Sequence, residues 1–175
     1  MNFIRLINQG PASAYFNMAL DEAISEGVRQ KFSPPTLRLY HWDRPSLSIG
    51  CFQKVSDIDA RYCDKKGYPV VRRQTGGRAV LHDSELTYSF SASTVTPMFN
   101  GSLRENYAVI SRALVLALSL KGIEAEASFN RKRSGSHKGP SCFRTLSYGE
   151  ITVEGKKVIG SAQKRYQDGF LQHGS

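Results

Sequence analysis

The sequence predicts an α+β domain in which mixed, largely antiparallel β-sheets pack with a few helices. Three observations lead there. Two stretches, from Ser13 to about Gln30 and from Ser102 to Gly122, carry apolar spacing and end signals typical of helices. Most of the remaining chain falls into short alternating or apolar runs divided by Gly, Pro, Asn and Asp, as strands and turns do. The 175 residues are 40% hydrophobic and 22% charged, enough for one domain with a substantial core over 1–175.

Phe3 to Ile7 reads as a strand that Gly10-Pro11 breaks. The first helix then places Phe16, Leu20, Ile24 and Val28 four residues apart, with Ala19 and Ala23 beside them, as its core face. Asp21, Glu22 and Glu26 fall on the solvated face. After Ser33-Pro34-Pro35, strands run over Thr36 to Trp42 and Ser46 to Phe52, joined by a turn at Asp43-Arg44-Pro45. Trp42, the single tryptophan, is a core residue, and Cys51 is buried late in the second of these strands. Ser56 caps a short helix that contains Cys63 and stops at Gly67.

Val70 to Arg73 leads into Gln74-Thr75-Gly76-Gly77-Arg78, and Ala79 to Leu81 leads out. Leu86, Tyr88 and Phe90 alternate with Thr87, Ser89 and Ser91, a half-buried strand. The second long helix opens on a capping box, Ser102 to Glu105, and ends at Lys121-Gly122, with Tyr107, Ile110, Leu114, Ala117 and Leu118 as its buried stripe. Ile123 to Ala127 reads as a strand, and Phe129 to Lys138 as a basic loop. A hairpin follows: Ile151 and Val153 on one arm, a two-residue turn at Gly155-Lys156, and a return arm from Lys157 to Gln163. The turn so placed sets Glu154 opposite Lys157. A last strand covers Gly169 to His173.

Composition narrows the function. No apolar run is long enough to span a bilayer and no signal peptide precedes the first strand, so the chain reads as cytoplasmic with no membrane contact. Cys51, Cys63 and Cys142 form neither a disulfide framework nor a metal-ligand pattern, and no metal is expected. The net charge of +9 favours acidic partners. No helix-turn-helix, zinc-finger or RNA-binding signature accompanies it, so nucleic acid is not expected.

The stretch that carries the most chemistry is Arg72 to Asp83. Adjacent Gly76 and Gly77 let the backbone approach a ligand, and Arg72, Arg73 and Arg78 offer permanently charged donors. Such a loop suits a carbonyl, carboxylate or phosphate; a tight turn with solvated arginines is the plainer reading. His82 lies within this stretch. Cys142 follows a Gly-Pro-Ser turn and a basic loop, surroundings that favour a thiolate, and Lys157 comes fifteen positions later. A Cys-Lys pair is one reading of these two, and a small buried cysteine is the second.

Six segments in order resemble the biotin/lipoate protein ligase superfamily over nearly the whole chain. They are Asn17-Met18-Ala19-Leu20-Asp21-Glu22, Arg72 to Asp83, Glu85-Leu86-Thr87-Tyr88-Ser89, Cys142-Phe143, Gly155 to Gln163, and Gln172-His173-Gly174-Ser175. The cysteine before Phe143 makes the octanoyltransferase branch the best match. The resemblance implies a ligase-like catalytic domain that passes octanoyl from acyl carrier protein to Cys142 as a thioester. The acyl group then goes to a lysine of a lipoyl domain or of the glycine-cleavage carrier protein. It implies Lys157 as the partner of Cys142. The substrate would meet Arg72, Arg73, Thr75, Gly76, Gly77, Arg78, His82, Gly160, Ser161, Ala162 and His173. No cofactor is implied; ATP and Mg would enter only for an ATP-dependent lipoate ligase. The same residues are compatible with an amidotransferase between carrier proteins, or with a non-catalytic basic binding module. Members of the superfamily continue past the His-Gly-Ser segment, so a C-terminal truncation is expected. Tyr148-Gly149 stands where two aromatic residues are usual.

Overall fold

The computed structural model describes residues 3–129 and 148–175, so Cys142 and the basic stretch from residue 130 lie outside the described residues. In order, the elements are β1 (Arg5–Ala12), α1 (Ala14–Arg29), β2 (Thr36–Trp42), β3 (Ser46–Ile49), α2 (Ala60–Lys66), β4 (Val70–Arg72) and β5 (Val80–His82). They continue with β6 (Thr87–Ser93), α3 (Leu103–Ser119), β7 (Glu126–Ser128), β8 (Glu150–Val153), β9 (Lys156–Ile159), β10 (Ser161–Arg165) and β11 (Gly169–Gly174). Strands pair in the orders β1-β2-β6-β11-β10, β4-β3-β5 and β7-β8-β9. Only β1 with β2 and β3 with β4 run parallel among the described pairs. The expected mixed, largely antiparallel α+β fold is therefore the one observed.

Strand β6 explains the layering. It lies in the middle of the five-stranded sheet, and all seven of its residues are buried rather than half of them. Alternate side chains of a strand face opposite ways. Tyr88, Phe90 and Ala92 join Phe99, Ile110 and Phe170 in the apolar core. Ser89, on the other face, donates to Asp21 of α1. The sheet thus has an oily side under α3 and a small, polar side under α1.

That polar side corrects the reading of α1. Its buried line is Ala14, Asn17, Asp21, Ile24, Ser25 and Val28. Phe16, Ala19 and Ala23 are exposed, and Asp21 is buried while Glu22 and Glu26 are solvated. Both lines have helical spacing, and the partner surface of small serines selects the one with the polar groups. Strand β1 runs through Gly10-Pro11 to Ala12, with an irregular register between Asn8 and Pro11. It is an edge strand, where a missing N–H is tolerated.

Other boundaries move modestly. Strand β3 stops at Ile49, leaving Cys51 half-buried in a turn. Asp59, not Ser56, caps α2, which ends at Gly67 with φ 67°. The Ser102–Glu105 capping box forms as expected, with Ser102 N–H donating to Glu105 at 2.7 Å. Tyr107 and Ile110 of α3 are buried, but Ala117 is exposed. The β8–β9 turn is Glu154-Gly155, one residue earlier than Gly155-Lys156, with φ 49° and 73°. Positive φ at both central residues is what a tight hairpin of this kind needs. Lys157 consequently pairs with Thr152 rather than Glu154.

Candidate active site

One cavity of about 150 Å³ opens where the five-stranded sheet meets the β3–β5 sheet and the β8–β9 hairpin. Met18, Tyr40, Trp42 and Val80 give it an apolar wall. Ser48, Arg73, His82, Thr87, Glu150, Lys157 and His173 give it a polar one. Gly77 and the run Gly160-Ser161-Ala162 complete the lining with Gly174 and Ser175. An apolar slot with a few convergent polar groups is the usual form of a small-molecule site.

The Gly-Gly loop is held by its own arginines. Arg73 is buried and donates to the carbonyls of Ser48 (3.0 Å), Gly76 (2.9 Å) and Arg78 (2.7 Å) and to Ser48 Oγ (3.1 Å). Its planar fork staples residues 76–78 onto β3. Gly77 has φ 98°, and a Cβ there would sit 2.9 Å from the Arg73 guanidinium, so this curl of the loop suits glycine. Arg72 turns the other way, donating to the carbonyls of Gly50, Cys51 and Gln53 at 2.6–3.3 Å.

Two carboxylate–imidazole–hydroxyl chains border the cavity. In one, His82 Nδ1 lies 2.5 Å from Glu85 Oε1, and His82 Nε2 lies 2.8 Å from Ser48 Oγ. A carboxylate can only accept, so Nδ1 carries the hydrogen and Nε2 accepts from the serine hydroxyl. The ring stacks on Trp42 with centroids 4.0 Å apart, and Trp42 is fixed by an N–H bond to Thr87 Oγ1 of 2.8 Å. Burial pushes the imidazole below its ordinary value, and the Glu85 hydrogen bond and charge only partly counter it, so the ring is neutral at pH 7.

In the other chain, His173 Nε2 lies 2.6 Å from Thr75 Oγ1, and His173 Nδ1 lies 3.5 Å from Asp21 Oδ2. Asp21 is enclosed. It accepts from Arg38 at 2.7 Å, Ser89 at 2.6 Å and Tyr40 at 2.9 Å. Burial works to raise its pKa, but the His173 contact, Ser89 and Arg38 outweigh it, so the carboxyl titrates below its ordinary range. Burial and the Asp21 charge push the Tyr40 hydroxyl well above its usual value. Arg38, fully buried, is further bonded to Asn17.

Lys157 reaches Glu150 at 2.5 Å, with both side chains about 5% exposed. Thr152 is the strand partner of Lys157, and Glu150 lies two residues away on the same face of β8. A Cβ at Gly160 would sit 2.8 Å from Lys157 Cε, so the glycine leaves the lysine its path across the strand end. The cavity therefore holds an ammonium–carboxylate pair against its lining.

Of the expected site residues, Arg73, Gly77, His82, Lys157, Gly160, Ser161, Ala162 and His173 line the cavity. Thr75 reaches it through His173. Arg72, Gly76 and Arg78 lie outside the lining, and Cys142 is outside the described residues. Ser48, Glu85, Glu150, Asp21 and Arg38 were not anticipated. The spacing His82-x-x-Glu85 across a turn was a usable signal. Ser48 and Arg38 gave none, because their partners are distant in sequence, and Glu150 was hidden by the hairpin register, which set Glu154 opposite Lys157 instead.

Fold and cavity define an α+β domain with a small-molecule site, and similarity to known proteins gives its family. The chain belongs to the family of the lipoyl protein ligase A/B catalytic domain, whose model matches residues 13–175. It is 47% identical over 176 residues to "Octanoyltransferase LipM" of Kyrpidia tusciae, covering 98% of this chain and 64% of that one. It is 46% identical over 172 residues to the protein of the same name from Carboxydothermus hydrogenoformans, covering 98% and 63%. A crystal structure of lipoate-protein ligase A bound with ATP superposes with a TM-score of 0.80 at 26% identity, covering 97% of this chain and 64% of that one. The chain thus spans about 64% of the length of the curated relatives it matches.

Proposed function

We propose that the cavity is the acyl site of an octanoyltransferase acting in protein lipoylation. Octanoyl arrives on acyl carrier protein, passes to Cys142 as a thioester, and leaves on a lysine of a lipoyl domain or of the glycine-cleavage carrier protein. The observation that carries this reading is that one cavity is lined both by the apolar Met18, Tyr40, Trp42 and Val80 and by the Lys157–Glu150 ion pair. The wall suits an alkyl chain and the ammonium suits a thiolate or an acyl oxygen. The relatives named octanoyltransferase, at 46–47% identity, favour the same reaction.

Thioester exchange conserves bond energy, so this route needs no ATP, no metal and no other cofactor. In the first step the Cys142 thiolate forms the C–S bond and the carrier thiol leaves. In the second an amine nitrogen forms the C–N bond and the Cys142 thiolate leaves. Lys157, held by Glu150, is assigned to stabilising the thiolate. The net charge of +9 would speed encounter with an acidic carrier. Location in the cytoplasm follows from these partners; among the described residues, no helix is long and apolar enough to cross a membrane.

A second reading is an ATP-dependent lipoate ligase, favoured by the superposition on the ATP-bound ligase. Intact-protein mass separates the two. Octanoyl-acyl carrier protein without ATP is expected to give an octanoyl adduct that hydroxylamine removes and Cys142→Ala lacks. Acylation of a lipoyl domain only from free octanoate or lipoate plus ATP would instead establish the ligase. Octanoyl taken from a lipoyl-domain donor in preference to acyl carrier protein would make the protein an amidotransferase.

A further inference from the structure

A lysine ammonium that becomes an amide nitrogen loses two protons: one to solvent before attack, and one as the C–N bond forms, while the sulfur leaves as the thiolate. A largely apolar cavity offers few groups to take the second. Resting on the acyl-transfer reading, we propose that Ser48, His82 and Glu85 are its exit. The attacking nitrogen gives its proton to Ser48 Oγ as the C–N bond forms. Ser48 passes its own to His82 Nε2, and His82 Nδ1 releases one through Glu85 to water. The C–S electron pair stays on the sulfur. Ser48 is the member that meets the amine; His82 and Glu85 are positioning residues that act through it.

Three features support this direction of transfer. The hydrogen bonds already point outward: Arg73 Nη1 donates to Ser48 Oγ at 3.1 Å, which commits the serine hydrogen to His82 Nε2 at 2.8 Å. The His82 Nδ1 hydrogen is then committed to Glu85. Ser48 and His82 line the cavity, while the Glu85 side chain is 23% exposed and adjoins the exposed Asp83 and Ser84, so the chain joins the cavity to solvent. The parallel chain through His173 lacks such an outlet. Its hydroxyl, Thr75, is fully buried and does not line the cavity, and its carboxylate, Asp21, is 2% exposed and bonded to Arg38, Tyr40 and Ser89.

The charged and titratable groups facing His82 are Glu85, Arg73 and His173. Of these, Glu85 raises the pKa of the ring. Glu85→Gln should therefore move the acid limb of the transfer rate to lower pH as well as slow transfer, a signature that a purely structural role would not give.

The test has two readouts on the same protein. Histidine NMR needs no reaction: a far-downfield His82 Nδ1 proton is expected in the parent and its loss in Glu85→Gln. Its absence from the parent overturns the proposal. Single-turnover transfer of octanoyl from the acylated protein to a lipoyl domain, across pH 6–9, is the second. Glu85→Gln and Ser48→Ala are expected to slow it by about 10²-fold, with the acid limb displaced in Glu85→Gln. Transfer at the parent's rate and with the parent's pH dependence in a folded Glu85→Gln overturns the proton route alone. A parent that keeps the His82 resonance but forms neither adduct nor amide overturns the acyl-transfer reading, and the proton route with it.

Discussion

The two histidine chains at the cavity differ mainly in where the carboxylate ends. Asp21 is walled in by α1, β2 and β6, and shares a buried guanidinium, a phenol and a serine hydroxyl. Glu85 sits at the turn before β6, bonded to His82 and Thr87 and reaching water. The same three chemical groups thus do different work. The Asp21 chain ties the Gly-Gly loop, through Thr75 and His173, to the polar underside of the sheet. The Glu85 chain leaves a titratable path open.

Breaking the enclosed chain should have the largest effect. Asp21→Ala leaves Arg38 charged and buried without its carboxylate, and should cost about 3–5 kcal/mol, read as a lower urea midpoint. Thr75→Val is nearly isosteric but strips His173 Nε2 of its partner; a loss of about 2 kcal/mol is expected, with the loop the first region to gain amide exchange. Glu85→Gln, at the open chain, should cost only about 1 kcal/mol while it slows acyl transfer. An equal loss of stability at Asp21 and Glu85 would contradict the contrast.

The pH dependence of stability sharpens the same comparison with smaller effects. The folded pKa of His82 is depressed below its ordinary 6.5. The unfolded chain therefore binds more protons just below pH 6.5, and the contribution of the neutral ring, complete above that value, is lost as pH falls toward the folded pKa. The Asp21 carboxyl is likewise depressed from 3.8, so its contribution is complete above that pH and is lost only as pH falls through its lower folded value. Urea midpoints should thus decline in two stages on acidification. His82→Gln should remove the first stage and leave the second.

Much of this architecture could be read from the chain. The capping box of α3, the strand β2 and the Gly-Gly loop are where local chemistry puts them, because each is decided by neighbours a few residues away. The helix α1 was legible as a helix but not in phase. Ile24 and Val28 are buried as expected, but in the first turns Ala14, Asn17 and Asp21 turn inward in place of Phe16 and Leu20, and only the serine face of β6 settles that choice. The hairpin register slipped by one for a similar reason. Glu154 adopts φ 49°, which its residue type does not advertise, and the slip exchanged Glu154 for Glu150 as the partner of Lys157. Ser48 and Arg38 are anonymous in sequence, since each acquires its role from residues brought together by pairing of distant strands.

The central claim is that this cavity moves an acyl group from thioester to amine without activation by a nucleotide. The most direct measurement isolates the second half of that reaction. Protein carrying octanoyl, freed of donor and ATP, is mixed with an unmodified lipoyl domain, and both masses are followed through a single turnover. The account predicts that the octanoyl mass leaves the protein and appears on the domain as a hydroxylamine-resistant amide, mole for mole. An adduct that persists beside an unmodified domain, with acylation appearing only when free acid and ATP are supplied, would contradict it.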